Sequence, residues 1–175
     1  MGIESGVVAR LNTITDLVEL GPELVTNGTF TGNADGWTLG TGWAYGTNNV
    51  VATAATGDVT QPISGLISGA TYQASYTISG YVDGSYALRI YNGSFGVDAT
   101  TRTANGTYTE NLTLNVASGA AASVRVVTVV DGTATIDNIS VVEVSRPRGA
   151  IKRKRRRIRY YEPWEYELGD PFNKD

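Results

Sequence analysis

The side chains able to do chemistry in this sequence are carboxylates, arginines and aromatic rings. Its 175 residues contain no histidine and no cysteine. That removes the commonest general base, the commonest metal ligand, thiolate sites and every Ser-His or Cys-His nucleophile. Carboxylates alone can hydrolyse a glycosidic bond when two stand at a suitable separation. Asp35, Asp58, Asp83, Asp98 and Asp131 are available, but most of them adjoin a glycine, the setting of turn formation. No glycine-rich phosphate loop, metal-ligand spacing or nucleophile elbow is present. The sequence argues against an enzyme and for non-covalent recognition.

Aromatic rings are the natural means of such recognition, because the C–H faces of sugars stack on them while nearby amides and carboxylates bond the hydroxyls. Tyr86 shares its parity with Leu88 and Ile90 and is expected in the core. Tyr91 falls on the opposite face, beside Arg89. Trp43 and Tyr45 follow the glycine-rich Gly40-Thr41-Gly42. Trp43, Tyr45 and Tyr91 are the candidate sugar contacts, although the commoner role of any one such ring is that of an amphipathic packing residue.

The basic residues are unevenly spread. Residues 1–145 carry 12 acidic and 4 basic side chains, residues 146–159 carry 9 basic and no acidic ones, and residues 160–175 carry 5 acidic and 1 basic. The dense basic run includes Arg153, Arg155, Arg156, Arg157 and Arg159. It can contact phosphates of a nucleic acid, lie in an acidic groove of a protein partner, or remain solvated. Directly after it come Tyr160, Tyr161, Trp164 and Tyr166, interleaved with Glu162, Pro163, Glu165 and Glu167. Rings beside proline are typical anchors for protein pockets, and the acidic residues would be repelled by phosphate. A peptide that orders on a protein partner fits this segment better than a nucleic-acid arm.

These residues need a scaffold, and the pattern of the chain supplies one. Tyr72, Ala74, Tyr76 and Ile78 alternate with polar neighbours, as do Leu112, Leu114 and Val116, which is the period of half-buried strands. Residues 124–130 and 136–144 read as more fully buried strands. Asp83-Gly84, Asn92-Gly93, Asn105-Gly106 and Asp131-Gly132 separate the runs and suit hairpin turns. Eight to ten strands with turn signals every 8–12 residues predict an all-β fold, a two-sheet antiparallel β-sandwich of jelly-roll type. Residues 1–22 form an N-terminal arm whose apolar spacing suits a helix ended by Gly21-Pro22 or a strand through Val7, Ala9 and Leu11. The sandwich is expected over residues 23–145 and an extended C-terminal tail over 146–175. The acidic start lacks the basic and apolar regions of a signal peptide, and no apolar run is long enough to span a membrane, so neither a leader nor a membrane partner is expected. The body has no lysine to guard its sheet edges, which suits a protein present in several copies.

Three motifs frame the body: Asn27-Gly28-Thr29-Phe30 followed by Gly36-Trp37, then Gly69-Ala70-Thr71-Tyr72, and finally Asp137-Asn138-Ile139-Ser140-Val141. In this order the chain resembles the carbohydrate-binding-module family of galactose-binding-like jelly rolls over about 120 residues. The resemblance implies a non-catalytic sandwich with glycan ligands. It also implies a structural calcium ion held in part by Asp137, although Thr31 stands where the family places an acidic ligand. Without calcium, Asp137 reads as a turn-capping carboxylate. Such domains are also found on bacteriophage virions. Together with the tail, this implies a structural protein of a tailed phage, a capsid decoration or tail component whose partners are other virion proteins and cell-surface glycans. A free carbohydrate-binding protein and a nucleic-acid-binding protein are the alternatives.

Overall fold

A computed structural model describes residues 19–115 and 121–145. Nine strands make up the described fold, which contains no helix. They are β1 (Glu19–Glu23), β2 (Thr38–Leu39), β3 (Trp43–Tyr45), β4 (Val50–Ala55), β5 (Val59–Pro62), β6 (Thr71–Tyr91), β7 (Gly96–Asp98), β8 (Gly106–Thr113) and β9 (Ser123–Ser145). All pairings are antiparallel, and the ladder between β6 and β9 is the spine of the molecule.

Both long strands bend, so that their halves serve opposite layers. In layer A the order is β3, β4, the C-terminal half of β9, the N-terminal half of β6, and β8, with β1 also on β9. In layer B it is β2, β5, the N-terminal half of β9, the C-terminal half of β6, and β7. The core lies between the layers and is built on tyrosine: Tyr72, Tyr76 and Tyr86 are fully buried with Phe30, Ile78, Leu88, Ile90 and Ile136. The Tyr76 hydroxyl donates across the layers to the Tyr86 carbonyl at 3.3 Å. Burial pushes the Tyr86 hydroxyl up to about 12, and the nearby charge of Asp83 adds to the effect.

The bend explains one departure from the sequence expectation. Asp83-Gly84 and Asp131-Gly132 are not hairpin tips; they are the facing bends inside β6 and β9. The β6–β9 register breaks between Ser79 and Asp83 and again around Ser85. Gly84 has φ 84°, and a Cβ on Gly132 would lie 2.4 Å from the Asp83 carbonyl oxygen and 2.5 Å from the Gly84 Cα. Two glycines in contact let the backbones cross where each strand changes layer. Asn92-Gly93 does form a turn, with the Asn92 side-chain oxygen accepting from the Ser94 and Phe95 amides.

Two further expectations change. Residues 124–130 are not buried throughout: Val124 and Val126 are, whereas Val129 and Val130 are 51% and 59% exposed beside the bend. The sandwich also begins before residue 23. Glu19 and Leu20 pair with Ser145 and Val144, and a bulge between Leu20 and Glu23 accommodates Gly21-Pro22. β1 lies against β9 as an outer strand, where a proline is tolerated at an irregularity. Residues 1–18 and the whole tail, including Arg153, Arg155, Arg156, Arg157, Arg159, Tyr160, Tyr161, Trp164 and Tyr166, lie outside the described residues.

Candidate functional site

The motifs at the two ends of the body meet. Ile139 donates its amide to the Gly28 carbonyl at 2.9 Å, and Asn27 and Asn138 both adopt left-handed φ angles near 50°. Phe30 and Trp37 pack at 5.3 Å between ring centroids, and the Trp37 indole donates to the Asn27 carbonyl. Gln61, buried on β5, clamps the same segment by exchanging two hydrogen bonds with the Thr26 backbone. Glu23 accepts from the Val25 and Val141 amides and from the Ser140 hydroxyl. The motifs therefore form a structural clasp around the layer edge.

Calcium binds six to eight oxygens, with carboxylates among them. Asp137 uses Oδ1 to accept the Asn138 amide at 2.6 Å. The Thr29 and Thr31 hydroxyls bond each other. Among the described residues no three acidic side chains gather into a metal-holding group. The Asp137 carboxylate caps the turn at Asn138.

The three candidate rings do not come together. Trp43 is only 7% exposed; its indole donates to the Gly57 carbonyl at 2.7 Å, and its ring meets Tyr86 edge-on at 5.9 Å. It is a core residue and offers no face to a sugar, because β3 turns it inward while its neighbours Ala44 and Tyr45 stay outside. Tyr45 is 39% exposed at the end of β3, where its hydroxyl accepts the Asn48 amide. Tyr91 lies on the outer face of layer B, at the C-terminal end of β6.

That outer face gathers charged, aromatic and hydroxyl side chains. β-strand pairing sets Arg89 directly opposite Arg125, with Asp98 beyond Arg89 and Thr60 beyond Arg125. Tyr91 stands in the adjoining row opposite Ser123, with Pro62 beyond. Like charges opposite each other in a ladder repel, so each arginine needs a partner. Arg89 finds it in Asp98 through a forked pair at 2.5 and 2.7 Å, which holds the guanidinium more firmly charged. Arg125 lies 4.2 Å over the Tyr91 ring and donates from Nε to the Ser123 hydroxyl at 3.1 Å. A hollow of about 260 Å³ opens beside it, lined by Thr60, Pro62, Ile63, Ala122, Ser123 and Arg125 among others. The facing of Tyr91 is legible from parity, but its ring is occupied by Arg125 and acts through it. Sequence reasoning misses Arg125 itself. Its one signal is that it is the only charge within the apolar stretch 124–130.

The third described arginine serves the scaffold. Arg102 pairs with Glu110 at 2.5 Å, and the Glu110 carboxylate also accepts the Thr100 amide and hydroxyl, pinning residues 100–102 to β8. Burial opposes ionisation of Glu110, yet these donors outweigh it and leave its carboxyl below the usual range.

No protein-family model and no curated protein matches the sequence. Solved structures do. Family 16 Carbohydrate Binding Module-2 is similar with a TM-score of 0.50 at 17% identity, over 67% of this chain and 98% of its own. A point mutant of a family 29 carbohydrate-binding module gives 0.48 at 13% identity, over 73% and 92% of the two chains. The N-terminal cellulose-binding domain of Cellulomonas fimi β-1,4-glucanase C gives 0.46 at 16%, over 65% and 91%. The chain has the antiparallel β-sandwich fold of the carbohydrate-binding modules.

Proposed function

We propose that this chain is a non-enzymatic glycan-binding domain whose ligand lies on the outer face of layer B, and whose residues 146–175 fasten it to a larger assembly. The observation that carries the glycan reading is the cluster on that face: Arg125 held over Tyr91, the Arg89–Asp98 fork, the Thr60 hydroxyl and the adjoining hollow. Fixed hydrogen-bonding groups around a shallow apolar depression are what a polar, ring-shaped ligand requires. Names of the similar solved structures support the same ligand class. The absence of histidine and cysteine from the whole chain supports binding without catalysis.

The test is a glycan array followed by titration. Tyr91→Ala is expected to weaken binding about tenfold or more, because Arg125 loses its platform, whereas Tyr45→Ala binds as the unaltered protein does. Loss of binding on Tyr45→Ala alone would move the site to the edge of layer A.

The assembly is read as a phage virion, in which the chain would decorate the capsid or form part of the tail. Support comes from the tail sequence, nine basic residues followed by clustered rings. Full-length protein is expected to co-sediment with particles of its source phage, and a chain lacking residues 146–175 is expected to stay in solution. Equal sedimentation of both would remove the tail from the account. Polysaccharide binding with no incorporation into particles would favour a free carbohydrate-binding protein.

A further inference from the structure

We infer that the layer B face selects glycans carrying a carboxylate, of the hexuronate class, with Arg125 as the group that recognises the acid. The inference rests on the glycan reading above and extends it to a substrate class.

Each of the other two described arginines has a carboxylate: Arg89 has Asp98 and Arg102 has Glu110. Among the described residues, no carboxylate pairs with Arg125. Its Nε alone donates a hydrogen bond among the described residues, to Ser123. The terminal nitrogens of the guanidinium, which form the fork that matches a carboxylate, have no hydrogen-bond partner there. Stacking on Tyr91 and the bond to Ser123 fix the group's position before any ligand arrives, so little freedom is lost on binding. Arg89 directly across the ladder adds positive charge, which its partner Asp98 and the more distant Asp58 offset in part. An anion placed against Arg125 relieves that repulsion, whereas a neutral sugar leaves it.

The geometry beside Arg125 suits a sugar acid rather than an isolated anion. The hollow of about 260 Å³ has Pro62, Ile63 and Ala122 as apolar lining and Thr60 as a hydroxyl. That lies just under the ~300–1,000 Å³ typical of sites for larger ligands, and is of a size for one saccharide unit. The apolar lining meets the C–H face of the ring while the guanidinium fork takes the carboxylate.

The nine basic residues at 146–159 attract any polyanion, so the test uses short ligands and changes one residue. Full-length protein is titrated at physiological salt with trisaccharides of galacturonate, glucuronate and mannuronate, each beside its carboxyl-reduced counterpart. The expected result is at least about tenfold preference for one acid over its reduced form, lost in Arg125→Gln and partly restored in Arg125→Lys, which keeps the charge without the fork. Thermal unfolding of each variant checks that it is folded. Equal affinity for acid and reduced forms, or a preference that survives Arg125→Gln, overturns the acid assignment and leaves the glycan reading intact. Displacement of the acid trisaccharide by poly-glutamate at equal carboxylate concentration also overturns it, because the face would then read charge alone. Binding to neither series, with an empty glycan array, overturns both readings.

Discussion

Gly28→Ala is expected to remove about 3 kcal/mol of stability, the upper end of what overpacking costs, and to lower the unfolding midpoint by roughly 6–12 °C. An added Cβ would lie 1.9 Å from the Ile139 carbonyl oxygen and 3.0 Å from its carbon. The obstacle is backbone of β9 and cannot rotate aside. Retreat of the Gly28 segment is equally barred. Its carbonyl accepts the Ile139 amide, and Phe30, two residues on, is fully buried against Trp37. Gly65 provides the comparison. It has φ 82° with nothing within 4 Å of an added Cβ, so Gly65→Ala should cost only the left-handed backbone penalty of about 1 kcal/mol. Urea unfolding of both variants separates the cases; equal losses would mean that the clasp between the motifs is loose.

Trp43→Ala should cost about 3–5 kcal/mol, the range for truncating a large buried aromatic. The ring contributes its edge-on contact with Tyr86 and fills the space between β3 and the opposite layer. The loss is mainly one of packing: the Gly57 carbonyl keeps a second donor, the Thr128 hydroxyl at 2.7 Å, when the indole is gone. Trp43→Phe, which keeps most of the apolar volume, is expected to recover more than half of that stability. Glycan affinity of the folded fraction should not change in either variant. Weakened glycan binding with full stability would instead make Trp43 the sugar platform that its glycine-rich setting suggests.

Gly28 and Trp43 also show how far local pattern reaches in this chain. The clasp is visible in the sequence as two motifs, but their contact is not, because Gly28 and Ile139 are joined only through the whole intervening fold. Trp43 misleads for a physical reason. Its flanking glycines resemble a loop that would expose a ring, yet Gly42 at φ 85° approaches the Ala55 backbone and lets the chain fold the indole inward. Arg125 is hidden because its meaning depends on register: only the pairing of β6 with β9 sets it opposite Arg89 and in the row beside Tyr91.

Residue types and their order are enough for the fold class, the alternation that buries Tyr72, Tyr76, Ile78 and Tyr86, the absence of thiolate and histidine chemistry, and the opposite facing of Tyr91. Each of these follows from side-chain identity or from the two-residue period of a strand, both local properties. Strand pairing was needed to make Asp83-Gly84 and Asp131-Gly132 bends rather than hairpin tips, since the same residues satisfy both and only the partner strand distinguishes them. Long-range packing likewise brings Glu19–Glu23 into the sheet and leaves Arg125 on the layer B face without a carboxylate partner among the described residues. Those outcomes are set by contacts between residues far apart in sequence, which no local pattern encodes.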